Sequence, residues 1–390
     1  MKVTDSNPTA KLDLQSILDR RIPGGRGVHL LSILTLTVSL ILIFVGGLVT
    51  SKQAGMSVPD WPNSYGYNMF LFPPRLWTGG IFYEHSHRLL GTVVGFLAIL
   101  TAVAALFTES RPAVRKLSYA VLLLVIIQGV LGGLRVVLVK LGLAIVHGCF
   151  AQACFCVMAL LCVVTSKQWF LMRDNSQPIQ SQTHLLVKLG IVAVATIYMQ
   201  LIAGAVMRHN NAGLAVTDIP WIYGKFLPPS TDEELKPINL KRAFAELPAM
   251  STDSALRSDQ ATMRVTRTQI WYHFIHRVGA LLVTVVVFSL IIAVLITKQP
   301  SVLKTPAYFL LVLVIAQVTL GILTVLYKKP ADIASMHVAV GALTLMTTFV
   351  LTVRAVRVYG PACSITKSTD VSSGLSEKIA GLKTSAIGTL

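Results

Sequence analysis

The chain has 390 residues, of which 54% are hydrophobic and 13% are charged, and its mean hydropathy is +0.67. Soluble domains carry roughly 25% charged residues, so this composition excludes an ordinary soluble domain and indicates an integral membrane protein. The net charge of +17 does not indicate nucleic-acid binding, because the Lys and Arg residues gather beside apolar segments and form no basic strip interleaved with aromatic residues.

Residues 1–28 precede the first apolar segment. They mix three aspartates with basic residues and contain no apolar core of the kind that a signal peptide needs. This segment is predicted to be the cytoplasmic tail of a bacterial membrane protein.

Eight apolar segments follow, each near the roughly 20 residues that a helix needs to cross a bilayer. In chain order, spanning helices are predicted at His29–Thr50, Phe82–Phe107, Val114–Leu138, Leu141–Thr165, His184–Met207, Trp271–Thr297, Thr305–Tyr327 and Asp332–Ala355. Among the short flanks of the spans, Lys and Arg residues are more frequent in the N-terminal segment and in the connections that follow even-numbered spans than in the short outer connections. Both termini are therefore predicted to face the cytoplasm.

Two connections on the predicted outer side are long. The first covers about Ser51 to Ile81 and is rich in Pro, Gly, Trp and Tyr, which favours an ordered loop. The second covers residues 208–269 and contains a polar stretch from Ser230 to Thr268, which is expected to be partly disordered.

An internal repeat relates the two halves of the chain. The segment from Ala54 to Pro62 (AGMSVPDWP) matches the segment from Ala212 to Pro220 (AGLAVTDIP) in constant register. Further matched pairs are Gly46 with Gly204, His87-Arg88 with His276-Arg277, Gln128 with Gln317, Gly132 with Gly321 and, after a one-residue slip, His147 with His337. Chance likeness between apolar helices does not easily explain matched His, Arg and Asp positions, so we infer a duplication.

The repeat and the order of the spans predict an all-α integral membrane protein with eight transmembrane helices in two pseudo-symmetric four-helix bundles. Its predicted parts are a cytoplasmic tail (1–28), a first bundle (29–165), a cytoplasmic linker (166–183), a second bundle (184–357) and a second cytoplasmic tail (358–390).

Four histidines lie at matched depth, each one or two turns inside the outer end of an even-numbered segment: His87, His147, His276 and His337. Ionisable groups within spanning helices are costly, so they usually face the bundle interior and serve a function. One such His could simply bond to a neighbouring helix. Four of them, two in each half, favour a cofactor site.

The number of candidate ligands favours heme over zinc. In each half the two His project from the second and fourth helices, which is how a bundle presents two axial ligands to heme iron. Zinc needs three or four ligands, and no Cys or second carboxylate accompanies either pair. The five cysteines include no C-x-x-C motif and are expected to be buried thiols.

Charged residues adjoin the predicted ligands. Arg88 and Arg277 could each bind a heme propionate or extend to the membrane interface. Glu84 can share a helix face with His87, and the second half has His273 at the position of Glu84. A carboxylate beside a buried porphyrin could move protons, so Glu84 is the candidate catalytic residue, with an ordinary interfacial Glu as the alternative. The first half would then be the reaction site and the second an electron-relaying heme.

Together, Glu84-x-x-His87-Arg88, the Gly46-Gly47-Leu48-Val49 segment, the Asp60-Trp61-Pro62 run and the four histidines resemble the heme A synthase family. The resemblance covers about Leu30 to Ala355. It implies an eight-helix enzyme of the bacterial cytoplasmic (inner) membrane that oxidises a methyl group of heme O to the formyl group of heme A for cytochrome oxidase. Many members carry a cysteine pair in an outer loop, and this sequence has none, which bears on electron delivery.

By the same resemblance, His87 and His147 would bind the iron of the substrate heme, His276 and His337 would bind that of a resident heme b, and Glu84 would be the catalytic carboxylate. The implied partners are heme O, a heme O synthase, cytochrome oxidase assembly factors and membrane lipid. A homo-oligomer is compatible with the sequence, and no nucleic-acid partner is expected.

Two other functions stay open from the residues alone. A diheme b-type electron carrier that oxidises quinol would share the four histidines but would give Glu84 no task. A transporter built from duplicated bundles would have helices broken by Gly or Pro at mid-membrane, and the predicted spans contain few prolines.

Overall fold

The computed structural model describes residues 25–174, 181–244, 264–297 and 299–359, and this part of the chain forms ten α-helices and no β-strand. The predicted terminal tails lie mostly outside the described residues. In chain order the helices are α1 (Gly25–Ser51), α2 (Gly79–Thr108), α3 (Pro112–Leu138), α4 (Leu141–Thr165), α5 (Lys167–Asp174), α6 (Ser181–His209), α7 (Asp232–Phe244), α8 (Arg267–Ile296), α9 (Ser301–Leu326) and α10 (Ala331–Tyr359).

Eight of the described helices are long and apolar enough to cross a membrane, namely α1 to α4, α6 and α8 to α10. The prediction of an all-α protein with eight spans is confirmed. The helix ends lie within about four residues of the predicted ones, α4 matches its predicted span, and α8 begins at Arg267 rather than Trp271. The reason is a capping box, in which Thr266 and Gln269 bond to each other's backbone N–H and start the helix before the apolar stretch.

The two halves repeat one packing order. In the first half α1 to α4 each pack beside their chain neighbours and α1 closes the ring by packing beside α4; in the second half α6, α8, α9 and α10 do the same. Consequently α2 faces α4, and α8 faces α10, across the interior of each group. This order is compatible with the predicted pair of four-helix bundles.

The halves meet through α1, α4, α6 and α10. About half of the apolar segment of α4 and of α10 is buried, against a third or less in the other spans. The helices that carry His147 and His337 therefore lie at the centre of the molecule.

One end of the molecule, called here the loop end, carries both long connections. Loop 1 is residues 52–78, and loop 2 is residues 210–266, of which 245–263 are not described. Helix α7 lies within the stretch that was expected to be partly disordered. It begins with three acidic residues and ends with two basic ones, a distribution that favours a helix through its dipole. The described part of that stretch is thus more ordered than predicted.

Each loop turns at a Tyr-Gly pair, Tyr65-Gly66 in loop 1 and Tyr223-Gly224 in loop 2. Both glycines have φ of +76°, which only Gly adopts freely, and an antiparallel bridge closes each turn. Each tyrosine hydroxyl donates a hydrogen bond to a backbone carbonyl earlier in its own loop. The two turns are 158 residues apart (223 − 65), which is the offset of the sequence repeat (212 − 54).

Candidate functional site

The four predicted ligand histidines lie below the loop end. His147 and His337 are each six residues from the start of their helices (147 − 141 and 337 − 331), and His87 and His276 are eight and nine residues into theirs (87 − 79 and 276 − 267). At 1.5 Å per residue, these depths are about 9 to 14 Å. His87 and His147 lie close enough together to influence each other electrostatically, as do His276 and His337. The structure therefore brings the four residues together as two facing pairs, one in each half.

Each imidazole rests against a glycine of the preceding spanning helix. A Cβ atom added to that glycine would lie about 3 Å from the ring's Cε1, closer than packed atoms normally approach. The distances are 3.0 Å for Gly46 to His87, 3.2 Å for Gly132 to His147, 2.9 Å for Gly204 to His276 and 3.1 Å for Gly321 to His337. Any other residue at these positions would displace the ring.

In the second pair the ring nitrogens are hydrogen-bonded. His337 Nδ1 lies 3.1 Å from the backbone carbonyl oxygen of Gln317. Because a carbonyl only accepts, Nδ1 carries the proton, and Nε2, the nitrogen left for a metal, accepts from the Gln317 side-chain amide at 3.4 Å. The Gln200 amide nitrogen lies 3.0 Å from His276 Nδ1 and donates to the His276 carbonyl oxygen at 2.7 Å. Because an amide N–H only donates, His276 Nδ1 accepts in this contact. Both rings are thereby held in orientation.

The first pair lacks these contacts. Nδ1 of His87 and Nδ1 of His147 are buried and have no hydrogen-bond partner among the described residues. The Gln128 amide reaches only the backbone, donating to the His147 carbonyl oxygen at 3.1 Å. The Leu42 backbone approaches His87, and the Gln128 backbone approaches His147, without meeting hydrogen-bond geometry. The two pairs therefore differ in how firmly their rings are oriented.

A coordinated exchange of residues accounts for part of this difference. Gln200 lies one turn before Gly204, and the repeat puts Leu42 at its position in the first half (200 − 158). A Cβ on Gly279 would come within 2.1 Å of the Gln200 amide oxygen, so that glycine makes room for the amide. Its first-half counterpart is Leu90 (279 − 189). A Gln–Gly pair in the second half thus replaces a Leu–Leu pair.

The donor set fits heme. In the part of the chain that the structure describes, no three His, Cys, Asp or Glu side chains converge as a metal cluster would. Two facing imidazoles suit an iron whose other ligands come from a porphyrin, whereas a tetrahedral zinc would lack ligands.

Arg88 fastens loop 1 to α2. Its Nη1 donates to the carbonyl oxygens of Asp60 and Asn63 at 2.7 and 2.9 Å. Its Nη2 donates to the Val58 carbonyl oxygen at 2.7 Å and to Glu84 Oε1 at 3.1 Å. All four Nη–H groups are thereby used. A heme propionate is one of the two partners predicted for this side chain. In the structure, a propionate would have to displace a loop contact to bind Arg88.

Arg277 fastens loop 2 to α8 in the same way. Its Nη1 donates to the carbonyl oxygens of Asp218 and Trp221 at 2.7 and 3.2 Å, and its Nη2 donates to that of Val216 at 3.0 Å. These three acceptors are offset by 158 residues from those of Arg88. We call the two arrangements the loop clamps.

Asp60 shapes the loop that Arg88 holds. Its carboxylate accepts hydrogen bonds from the backbone N–H groups of Tyr65 and Gly66 at 2.7 and 2.8 Å. Burial alone would raise the pKa of Asp60, but these two N–H groups and the charge of Arg88 outweigh burial, and the pKa is lowered. Asp60 is therefore ionised at neutral pH.

Glu84 belongs to the first loop clamp. Its side chain is almost fully buried, Oε2 accepts from the Val58 backbone N–H at 2.9 Å, and Oε1 accepts from Arg88. In the second half His273 takes the matching position and contacts the Ala212 carbonyl oxygen at 3.1 Å. The predicted catalytic carboxylate thus lies one turn from His87 and also anchors loop 1.

The family of cytochrome oxidase assembly proteins described as COX15-CtaA matches residues 78–350, which is 273 of the 390 residues (350 − 78 + 1). The chain belongs to this family. The matched segment includes Glu84, Arg88 and all four predicted ligand histidines, whereas α1 with Gly46 precedes it.

Relatives of this COX15-CtaA protein include bacterial proteins named heme A synthase. That of Rickettsia africae is 30% identical over 327 residues and that of Rickettsia bellii 28% over 330 residues; each match covers 76% of this chain and 88% of the relative. The Shewanella oneidensis protein is 26% identical over 333 residues, covering 80% of this chain and 92% of the relative.

A group of cations near the boundary between the halves was not predicted from the sequence. Arg135, near the end of α3, donates to the Gly55 carbonyl oxygen at 3.0 Å. Arg208, at the end of α6, donates to a carbonyl and a hydroxyl oxygen of α1 at 2.5 and 2.6 Å. Burial, and then the charge of Arg208, lower the pKa of Lys329 to about 8. A basic residue near a helix end is ordinary in sequence, so only the tertiary contacts single these out.

Proposed function

We propose that this chain is a heme A synthase, which oxidises a methyl group of heme O to the formyl group of heme A for cytochrome oxidase. Membership of a family of cytochrome oxidase assembly proteins supports this proposal, as do the relatives that bear the name. Two facing histidine pairs, one for a substrate heme and one for a resident heme, are the donor sets that the activity needs.

The first half receives heme O on His87 and His147, and the second half holds heme b on His276 and His337. The observation that carries this assignment is the contrast in ring orientation. A metal-ligating imidazole that donates its other N–H to an acceptor is fixed in orientation and gains metal affinity; His337 Nδ1 donates in this way to the Gln317 carbonyl oxygen, and the Gln200 amide restrains the His276 ring, which suits a heme that stays. The rings of His87 and His147, which have no such bonds at Nδ1, suit a heme that must enter and leave.

Glu84 is proposed as the catalytic group of the first half. Bound heme supplies the oxidising chemistry that an unactivated methyl group requires. The Glu84 carboxylate accepts protons released when C–H bonds are broken, and its bond to Arg88 holds it in orientation. Loop 1, fastened over this half by its clamp, excludes bulk water from the substrate.

The chain is proposed to lie in the bacterial cytoplasmic membrane with both termini in the cytoplasm, since basic residues favour that side. A heme O synthase is its proposed donor, and cytochrome oxidase assembly factors are its proposed recipients.

The test is expression of this chain together with a heme O-forming farnesyltransferase, followed by chromatography of the hemes extracted from the purified protein. Heme A or heme O beside heme b is expected. A matched preparation of the His87→Ala variant should contain heme b and no heme A. Heme b alone in the unaltered protein would reject the proposal.

A diheme electron carrier that oxidises quinol is the second candidate. It is favoured by the engagement of both Glu84 oxygens in the loop clamp, which gives that residue a sufficient structural task. The same chromatography separates the two functions, because the carrier would contain heme b in both halves.

A further inference from the structure

Two arginines at the loop end form no close ion pair with a carboxylate of the described residues, although the charge of Glu84 acts on Arg135. The ion pairs found in the described part of the chain include neither Arg135 nor Arg208, although both side chains are partly buried. A desolvated cation without an anion is costly, and within membrane proteins such groups usually mark a ligand site. Each side chain also retains N–H groups beyond those that its backbone and hydroxyl contacts use.

Both arginines lie close to the histidine pairs. The charge of Arg135 acts on both His87 and His147, and that of Arg208 acts on His337. Arg135 and Arg208 also lie near helix ends at the loop end of the molecule. The four histidines lie near the same end. Each is therefore placed to contact an anionic edge of whatever its histidine pair binds.

The loops leave room for these cations. A Cβ on Gly55 would lie only 1.9 Å from Arg135 Nη2, so the glycine lets the loop 1 backbone pass directly over the guanidinium. In the second half the matching Gly213 lies over the Lys329 side chain, with 3.8 Å between a Cβ and Lys329 Cδ. A cation beneath the repeated loop glycine is thus common to both halves.

We propose that Arg135 binds the propionate carboxylates of the heme in the first half, and that Arg208 binds those of the heme in the second half. A planar guanidinium matches a carboxylate through paired hydrogen bonds. Arg88 and Arg277 are committed to the loop clamps instead. The inference rests on the proposed function in taking heme as the ligand of the histidine pairs.

The test compares hemin with hemin dimethyl ester, whose carboxylates are blocked. Each porphyrin is titrated into heme-depleted full-length protein and followed by its absorption. His276→Ala isolates the first pair and His87→Ala isolates the second. In the His276→Ala background, Arg135→Gln is expected to weaken hemin binding about tenfold to a hundredfold and to leave ester binding unchanged. In the His87→Ala background, Arg208→Gln should have the same two effects.

Arg75→Gln, which removes an exposed cation of loop 1, controls for net charge and should change neither affinity. Arg135→Lys keeps the charge and should retain part of the preference for hemin, which also guards against a variant that fails to fold. Unchanged hemin binding in Arg135→Gln, or equal losses for hemin and the ester, would overturn the assignment.

The outcomes for the inference and for the proposed function are distinguishable. If the histidine-intact protein binds neither porphyrin, heme is not the ligand and both fail. If hemin is preferred as expected but no heme A forms from heme O, only the proposed function fails.

Discussion

Each imidazole that we propose as a heme ligand is fixed by the helix backbone packed against it. The four glycines bring the neighbouring helix backbone against the ring edge, so the ring cannot retreat from the bundle interior. In the second half, amide and carbonyl groups add a rotational constraint. Close packing therefore sets the depth of all four rings. Hydrogen bonds hold the rings of the second half in one orientation, whereas the rings of the first half, without such bonds at Nδ1, can adjust.

Replacing a supporting glycine should weaken heme binding in its own half. Gly204→Ala places a methyl group 2.9 Å from His276 Cε1, so we expect the purified variant to lose most of its heme b. Alanine itself favours a helix by up to about 1 kcal/mol, so loss of helicity cannot explain the effect. Gly129→Ala is the control, because its methyl group would enter open space. Equal heme contents in the two variants would contradict the supporting role.

Glu84 is predicted to act through its charge rather than its shape. Glu84→Gln keeps an oxygen that accepts from the Val58 N–H, but the amide cannot take a proton at neutral pH. We expect heme A formation to fall at least a hundredfold, with both hemes still bound, as measured by chromatography of the extracted pigments. Glu84→Ala should also abolish formyl formation. Undiminished heme A in the Gln variant would leave Glu84 with only its loop contact.

At the scale of elements, the loops are fastened to the helices that carry the ligands. Arg88 and Arg277 follow ligand histidines directly in sequence, and each binds three carbonyl oxygens of the loop above it. Loop position and ring position are thus joined through one short segment of helix. Movement of a loop, as substrate entry would require, needs its clamp to open.

Replacing the arginine of one loop clamp by lysine should loosen the loop that it holds. In Arg88→Lys a single ammonium replaces a guanidinium that makes four hydrogen bonds. Amide hydrogen exchange of loop 1 should accelerate about tenfold or more, while loop 2 keeps its protection. Arg277→Lys is the reciprocal control. A loop 1 that exchanges at the unaltered rate would show that the clamp does not limit its opening.

The elements were largely predictable because the physical signals are local. Stretches of about 20 apolar residues fix the spans, and the 158-residue offset fixes which loop positions correspond. The missed features depend on contacts between distant segments. The bonds from Arg88 to the loop 1 carbonyl oxygens were missed, because a carbonyl and a propionate both accept from a guanidinium and the sequence does not tell them apart. Two further contacts were missed, that of the Gln200 amide with His276 and that of Arg208 with α1. The hydrophobic pattern of a spanning helix does not determine how the helix is rotated about its axis, so it does not predict such contacts.

At the scale of the whole molecule, two similar halves have unequal sites. The repeated packing order gives each half a histidine pair, and the changes from Leu42 and Leu90 to Gln200 and Gly279 make the second pair more polar and more constrained. Glu84, in turn, is found only in the first half's clamp. A duplicated bundle could in this way retain one heme and process the other, with α4 and α10 side by side at the centre.

The measurement that tests this division most directly is the heme content of two single variants, each expressed with a heme O-forming farnesyltransferase. His276→Ala should lose heme b and keep heme O, while His87→Ala should lose heme O and heme A and keep heme b. Loss of the same pigment from both variants would contradict the assignment of one heme to each half.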